Sequence, residues 1–165
     1  MVNTMKPALL IVDMQNGCRK ETKAKEDFET AVSYINAVSE IFREKNLPVV
    51  IVQDAGVGEG DDFEVVKEIK VSLNDLYIKK EFGNSFWKTD LDILLKELDV
   101  DFLVIGGFAA MYCILATYNG ALERGYKCTL LQNGIAGYET GEAAMVSNSR
   151  AMISYTALRY FLFWK

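Results

Sequence analysis

Residues 101–126 read DFLVIGGFAAMYCILATYNGALERGY, and this stretch decides the fold. Its apolar run FLVI is typical of a buried strand, a pair of glycines ends that strand, and an amphipathic helix is predicted over residues 111–124. Cys113 lies at the start of this helix. In α/β proteins, ligands bind beyond the carboxyl ends of the strands, where helix N-termini favour negative charge. The stretch therefore predicts an α/β protein with a thiol at its ligand-binding edge.

Other short apolar runs predict the remaining strands of the sheet. The strands are expected at residues 7–13, 49–52, 75–80, 102–105 and 126–131. Such continuous apolar runs are typical of parallel strands that are buried on both faces. A last strand, or the end of a helix, is expected within residues 157–165.

Helical periodicity appears between these runs. One helix is predicted to begin after Asp27 as its N-cap and another after Thr89 as its N-cap. Two more are predicted, one in the segment that ends near residue 73 and one over residues 141–155. Residues 14–26 are expected to form a loop. Strands that alternate with helices indicate a three-layer α/β/α domain with right-handed crossovers. The expected fold is α/β, with a mostly parallel, Rossmann-like sheet of five to six strands.

Composition narrows the class of protein. The 165 residues predict a single domain over residues 1–165, and 50% hydrophobic residues with only 2 prolines argue against extended disorder. The net charge of -5, without a cluster of basic residues, argues against a nucleic-acid partner. Residues 1–7 lack the apolar core of a signal peptide, and no apolar run reaches the ~18 residues of a membrane span. We therefore expect a cytoplasmic protein with no membrane partner.

Cysteine and histidine usage limits the possible chemistry. Cys18, Cys113 and Cys128 are odd in number and widely spaced, which favours free thiols over a disulfide framework or a metal cluster. The chain contains no histidine, which excludes Ser-His-Asp and Cys-His catalysis and most zinc sites within it. Neither a G-x-G-x-x-G nor a P-loop motif follows the first strand. No cofactor is expected.

Three side chains with useful chemistry lie at or just beyond the ends of three predicted strands. Asp13 ends the first strand, Lys80 ends the third, and Cys113 comes just after the fourth. Taken singly, a thiol is more often an inert core residue, and a lysine more often a solvated one. Strand ends of a doubly wound sheet can converge on one crevice, so the three residues are candidates for one site.

Three motifs carry a resemblance to a known family. They are VDMQN at 12–16, KKEFGNSFWKTDL at 79–91 and VIGGFAAMYCILATYNGALERGY at 104–126. In order and spacing, over most of the chain, they resemble the isochorismatase-like cysteine hydrolases, which include nicotinamidases and N-carbamoylsarcosine amidohydrolases. The resemblance implies hydrolysis of a C–N bond, amide or carbamoyl, in a small-molecule substrate.

The resemblance also implies a catalytic triad of Asp13, Lys80 and Cys113. It selects Lys80 over Lys79, because the family's lysine lies six residues before a phenylalanine, here Phe86. In this mechanism Asp13 takes the thiol proton as general base and later returns it as general acid, and the sulfur forms a thioester. A helix N-terminus, the ammonium and the carboxylate can together supply a thiolate, with Lys80 as electrostatic support.

The family further implies how the developing oxyanion is held. Its oxyanion hole corresponds to the backbone amides of Ala109 and Cys113, with a cis peptide between Phe108 and Ala109. Substrate-binding candidates follow from closeness to the triad in sequence, and they are Gln15, Phe82, Phe108 and Tyr112. For the aromatic candidates, ordinary core packing is the alternative.

Two departures from the family pattern bear on substrate and metal. Ala110 stands where the family often carries a threonine, and Asp54 is followed by Ala55 and Gly56 where nicotinamidases have an Asp-x-His metal pattern. A metal site is therefore not expected, and nicotinamide becomes a weaker substrate candidate.

Two other functions remain open at this point, and the oligomeric state is a separate expectation. The chain can be a binding or regulatory module that keeps the fold without turnover, or a phosphotransfer protein acting through Asp13, although Val12 and the following Met14 and Gln15 do not supply the further acids such proteins need. The resemblance also implies a homo-oligomer, a dimer or larger. Its apolar interface is expected from the tail YFLFW at 160–164 and the methionine-rich residues 143–152.

Overall fold

Six strands, paired in parallel, form the centre of the protein in the computed structural model, which describes residues 5–163. They are β1 (Pro7–Val12), β2 (Val49–Asp54), β3 (Leu76–Lys80), β4 (Phe102–Phe108), β5 (Lys127–Ala136) and β6 (Met152–Ile153). Their order across the sheet is β3-β2-β1-β4-β5-β6. The predicted α/β class and the sheet of five to six strands are confirmed.

Helices cover both faces of this sheet. They are α1 (Asn16–Glu21), α2 (Lys25–Glu44), α3 (Leu91–Glu97), α4 (Leu115–Glu123), α5 (Glu142–Ser147) and α6 (Tyr155–Phe163), and a π-helical turn, Ala110–Ile114, precedes α4. Successive side chains of β1 point to opposite faces of the sheet: Leu10 packs in one apolar core, and Leu9 and Ile11 pack in the other. Burial on both faces explains the continuous apolar runs of the strands.

Two predictions near the N-terminus are wrong. Residues 14–26 do not form only a loop, since they contain α1, which the sequence does not reveal because its six residues NGCRKE carry no apolar stripe. Asp27 is not the N-cap of α2, which begins at Lys25. Instead, the Thr22 hydroxyl accepts a hydrogen bond of 3.0 Å from the Ala24 N–H, just before the helix.

Three other boundaries also differ from the predictions. The helix expected in the segment that ends near residue 73 is absent: a short 3-10 turn, Gly60–Asp62, precedes residues 63–73, which contain no helix, even though Val66 and Ile69 are buried as the helical pattern suggested. Thr89 is not the N-cap of α3, because the helix begins at Leu91 with Asp90 as its N-cap; the Leu91 N–H still donates to the Thr89 hydroxyl at 3.3 Å. The helix expected over 141–155 ends at Ser147, and β6 follows it.

The C-terminal segment forms α6, so it is a helix separate from α5. Residues 164 and 165 of the predicted tail lie outside the described residues, as do residues 1–4 of the segment considered for a leader. Tyr160 and Met145, from the two segments expected to mediate self-association, are 64% and 62% exposed. Over residues 5–163, no helix is both long and apolar enough to cross a membrane.

The glycine pair extends β4 instead of ending it. Gly107 pairs with Val12 of β1 and has a φ of 130°. A Cβ at Gly107 would lie 2.0 Å from the Val12 carbonyl oxygen, so only glycine allows this approach. The contact brings the end of β4 against the end of β1, immediately before Asp13.

We expect Gly107→Ala to lower the free energy of unfolding by about 3 kcal/mol, because the methyl group meets backbone and the φ is unfavourable. Gly125→Ala is the matched control, since Gly125 has a φ of 87° but no atom within 4 Å of the added Cβ. The control should lose about 1 kcal/mol from the φ alone. Urea unfolding of both variants measures the difference, and equal losses would contradict this account of the strand contact.

Candidate active site

Asp13, Lys80 and Cys113 lie in one cluster at the carboxyl edge of the sheet. The Lys80 Nζ atom is 2.9 Å from Asp13 Oδ2 and 3.4 Å from Cys113 Sγ. Lys80 is 1% exposed, Asp13 is 2% exposed, and Cys113 is partly exposed. The structure thus brings together the three residues that the sequence selects, and their catalytic roles remain predictions.

The local backbone explains how each side chain reaches the cluster. Asp13 follows β1 with a left-handed φ of 52°, a conformation that Asp adopts more readily than most residues, and its N–H donates to the Val52 carbonyl at 2.9 Å. Lys80 is the last residue of β3. Cys113 lies in the π-helical turn that connects β4 to α4. Three chain segments therefore deliver the side chains to one point.

Asp54 is a fourth member of the cluster that sequence reasoning missed as a site residue. Its Oδ2 lies 2.8 Å from Lys80 Nζ, and its side chain is 19% exposed. Its Oδ1 accepts a hydrogen bond of 2.7 Å from the Gly56 N–H. The sequence did contain a signal for Asp54 as a site residue, because this acid lies at the carboxyl end of the second strand, as Asp13 does at the end of the first. The Lys80 Nζ atom therefore contacts Asp13, Asp54 and Cys113, at 2.9, 2.8 and 3.4 Å.

This donor set fits a lysine-centred cluster better than a metal centre. Oxygen and sulfur atoms of Asp13, Asp54 and Cys113 lie within 4.8 Å of one another, which by distance alone would suit a cation. However, the Lys80 ammonium contacts all three groups. The positive charge that the acids require is already supplied by the chain.

The electrostatics give the cluster a base and a protonated thiol. Burial raises the pKa of Asp13 to about 6 against the opposing effect of Lys80, so this carboxyl group is ionised at neutral pH. Its Oδ1 is buried and has no hydrogen-bond partner among the described residues. Burial, reinforced by the Asp13 charge, raises the pKa of Cys113 to about 12 despite Lys80.

At Cys113 the effect of Lys80, which lowers the thiol pKa, is smaller than the opposing effect of burial. Burial alone would lower the pKa of Lys80, but the charges of Asp13 and Cys113 raise it, so Lys80 stays protonated. The single ammonium is surrounded by acids and does not ionise the thiol. In the resting cluster Cys113 is a thiol next to a carboxylate that can accept its proton.

The turn before the thiol has the expected backbone geometry. The peptide bond between Phe108 and Ala109 is cis, as the family resemblance implied. The N–H groups of Tyr112 and Ile114 both donate to the Ala109 carbonyl, at 2.9 and 3.2 Å. The turn is thus wound around Ala109, and the Ala109 and Cys113 amides remain a prediction for the oxyanion hole.

Gln15 makes hydrogen bonds within the protein, and its contact with substrate remains a prediction. It is 0% exposed, and its Nε2 donates to the carbonyls of Asp54 and Phe63 at 3.1 and 2.9 Å. Its Oε1 accepts from the Asp54 N–H at 2.8 Å. Both amide hydrogens are used within the protein. Gln15 therefore holds the end of β2 in place.

The predicted aromatic contacts divide into core and surface. Phe108 is 1% exposed and packs edge-on against Tyr138, with ring centroids 4.7 Å apart, which is the core packing considered as its alternative role. Tyr112 and Phe82 are 58% and 42% exposed and remain candidates for contact. Tyr112 also packs edge-on against Tyr138, with ring centroids 5.5 Å apart.

Tyr138 also lies near the cluster, and sequence reasoning missed it. Burial, with smaller effects from Cys18, Cys113, Asp13 and a further acid, raises the pKa of Tyr138 to about 12. No sequence pattern marks Tyr138, because it follows β5 and reaches this position only through the sheet order. Cys18 and Cys128, expected to lack catalytic function, are free thiols, both buried.

The fold and this cluster define a three-layer α/β protein with a buried lysine, two carboxylates and a thiol at the carboxyl edge of its parallel sheet. Residues 7–157 match the family model described as the isochorismatase domain. The chain therefore belongs to the isochorismatase family, as the sequence motifs predict.

Known relatives agree with this assignment. The chain is 31% identical over 141 residues to the isochorismatase family protein YddQ of Bacillus subtilis (strain 168), covering 80% of this chain and 78% of that protein. It is similar in structure to an N-carbamoylsarcosine amidase from Thermoplasma acidophilum (TM-score 0.78, 28% identity, 91% and 95% of the two chains). The nicotinamidase SaPncA of Staphylococcus aureus shares the fold (TM-score 0.76, 22% identity, 86% and 91% of the two chains).

Proposed function

We propose that this protein is a hydrolase that cleaves the C–N bond of a small amide or carbamoyl compound, with Cys113 as the nucleophile. The observation that carries the proposal is the contact of Lys80 with both Asp13 and Cys113, 2.9 and 3.4 Å away. A thiol beside a carboxylate of raised pKa is a nucleophile beside a base. The similarity to an enzyme named N-carbamoylsarcosine amidase supports this type of bond.

The first half of the reaction uses Asp13 twice. Asp13 accepts the Cys113 proton as the sulfur attacks the substrate carbonyl, and an S–C bond forms. The tetrahedral intermediate then collapses, the C–N bond breaks, and Asp13 returns the proton to the departing amine or ammonia. A thioester on Cys113 remains, and no metal or oxidant is needed for the balance.

The second half of the reaction restores the enzyme. Water attacks the thioester carbonyl while Asp13 accepts its proton, and the sulfur leaves as the S–C bond breaks. The proton passes to Cys113, which becomes a thiol again. Asp13 can perform both steps because its Oδ1 is free of hydrogen bonds among the described residues. A carboxylate with both oxygens bonded would be a weaker base.

Lys80 and the turn around Ala109 complete the mechanism. Lys80 orients Asp13 and offsets the negative charge that builds on sulfur and oxygen, and it does not act as a nucleophile. The backbone N–H groups of Ala109 and Cys113 donate to the oxyanion in the proposed mechanism. Tyr112 and Phe82 offer exposed aromatic surface for the rest of the substrate.

The direct test is ammonia release from a panel of small amides and carbamoyl compounds, comparing the wild type with Cys113→Ser. We expect at least one compound to be turned over by the wild type and none by the variant. A compound that binds tightly yet yields no product on prolonged incubation, with an unreactive Cys113, would favour the binding-module alternative and contradict the proposal.

The pH dependence of activity follows from Asp13. Because Asp13 must be ionised to accept the thiol proton, kcat/KM should rise with pH and level off above the Asp13 pKa of about 6. The acidic limb is measured by steady-state kinetics from about pH 4 to about pH 8. It should disappear, with most of the activity, in Asp13→Asn. An acidic limb unchanged by this substitution would assign the base elsewhere.

A further inference from the structure

The proposed mechanism leaves Asp54 without a role, although it belongs to the cluster. Its Oδ2 lies 2.8 Å from Lys80 Nζ, and Asp13 Oδ2 lies 2.9 Å from the same atom. The ammonium therefore contacts two carboxylates at nearly equal distances. It does not form a one-to-one ion pair with the base.

Asp54 is held firmly at this position. Its Oδ1 accepts from the Gly56 N–H at 2.7 Å, and its own backbone N–H and carbonyl both bond to the Gln15 side chain. In the register of β2 and β3, Asp54 is the partner of Lys80. A negative charge is thus fixed within 4.8 Å of the nearest Asp13 oxygen and of the Cys113 sulfur.

We propose that Asp54 is a positioning residue that shares the Lys80 ammonium and thereby leaves Asp13 basic enough to accept the Cys113 proton. This inference rests on the proposed function, because it concerns the same base and the same nucleophile. A buried carboxylate that alone paired with an ammonium would be stabilised in its charged form and would be a poor base. A second carboxylate on that ammonium offsets this effect.

The other titratable groups around Asp13 do not replace Asp54 in this role. Cys18 of α1 and Tyr138 after β5 lie near enough to respond to the charges of Asp13 and Cys113, and the acid Glu21 acts on both. Burial has the largest effect on the pKa of Asp13, and the Asp54 charge raises it further. Asp54 is the carboxylate that, besides Asp13, contacts Lys80 within residues 5–163.

The test compares the wild type with Asp54→Asn, which keeps the shape and an oxygen acceptor but removes the charge. The readout is the rate at which iodoacetamide alkylates Cys113 from about pH 4 to about pH 8, followed by peptide mass spectrometry, and it needs no substrate. Because Asp13 accepts the thiol proton, the rate should rise with a midpoint near 6 in the wild type. We expect the variant to lower this midpoint by about 1 pH unit.

Asp99→Asn is the matched control, because it removes a carboxylate that pairs with Lys6 at 2.9 Å and is 77% exposed. It should leave the midpoint unchanged. If Asp54→Asn does not fold, Asp54→Ser keeps an acceptor for the Gly56 N–H and removes the same charge. An unchanged midpoint in a folded Asp54 variant would overturn the proposed role of Asp54 and leave the proposed hydrolase function untouched.

A different result would count against the proposed function itself. If the wild type shows no alkylation midpoint, or if Asp13→Asn does not abolish it, then Asp13 is not the base and the role of Asp54 is lost with it. The two failures are therefore distinguishable by comparing the Asp13 and Asp54 variants in the same assay.

Discussion

Cys113→Ser should reduce kcat/KM for the C–N bond hydrolysis by at least about 10⁴-fold, because removal of a nucleophile leaves only binding and oxyanion stabilisation. A serine hydroxyl is far less acidic than a thiol, and a carboxylate with a pKa of about 6 is too weak a base to activate it. The sulfur contact with Lys80 at 3.4 Å is also lost. Ammonia release with any compound that the wild type hydrolyses measures the effect.

The control for this substitution is a thiol outside the cluster. Cys128 lies in β5, is 8% exposed, and contacts the Tyr118 carbonyl at 3.6 Å. Cys128→Ala should keep kcat/KM within about twofold, although the lost packing can lower stability. If Cys128→Ala lost activity as severely as Cys113→Ser while still folded, the assignment of the nucleophile would be wrong.

Lys80→Met should destabilise the protein by about 3 to 5 kcal/mol at pH 7, because it leaves a buried, unpaired carboxylate with a second carboxylate beside it. The Lys80 side chain is 0% exposed, and the Asp13 and Asp54 side chains that contact it are 3% and 19% exposed. Methionine has a similar length and fills the same space without the charge. Activity should also fall, by at least about 10²-fold, because the support for the developing charge is gone.

The pH dependence of this loss has a definite sign. In the wild type, the pKa of Asp13 is raised from 3.8 to about 6, and loss of Lys80 raises it further. A carboxyl group with a raised pKa in the folded state contributes stability below its unfolded pKa, and that contribution is lost as pH rises through the folded pKa. Lys80→Met should therefore recover stability as pH falls from about 8 to about 5.

Urea unfolding at several pH values measures both effects of Lys80→Met. The control is Lys79→Met, one residue earlier on β3, where the lysine is exposed and lies over the Phe63 ring at 5.2 Å. This variant should change stability by less than about 1 kcal/mol. Equal losses in the two variants, or a loss from Lys80→Met that does not vary with pH, would contradict a lysine-centred cluster.

The convergence of Asp13, Lys80 and Cys113 was predicted from the family resemblance, and it has a physical basis because parallel strands present their carboxyl ends at one edge of a sheet. The strand order was not predictable from periodicity, and it decides that Asp54 of β2 lies beside Lys80 of β3. The strand order also places Tyr138 near the cluster, so periodicity did not predict this position. Local patterns report which face of an element is buried, but not which elements are neighbours.

Contacts of individual residues also depend on distant parts of the chain. Gln15 remains a predicted substrate contact, but the sequence did not reveal that the carbonyl of Phe63, 48 residues away, takes one of its amide hydrogens. The pKa values in the cluster also depend on burial, which raises the pKa of both Asp13 and Cys113. Depth of burial is a property of the whole fold, so the residue types alone do not predict it.

The most direct test of the central claim is to quench the reaction with acid during turnover and to map any covalent adduct by mass spectrometry. With an amide or carbamoyl compound that the wild type hydrolyses, the account predicts an acyl or carbamoyl group attached to Cys113, and no such adduct in Cys113→Ser. An adduct on another residue, or turnover by Cys113→Ser at the wild-type rate, would contradict the claim that Cys113 is the nucleophile.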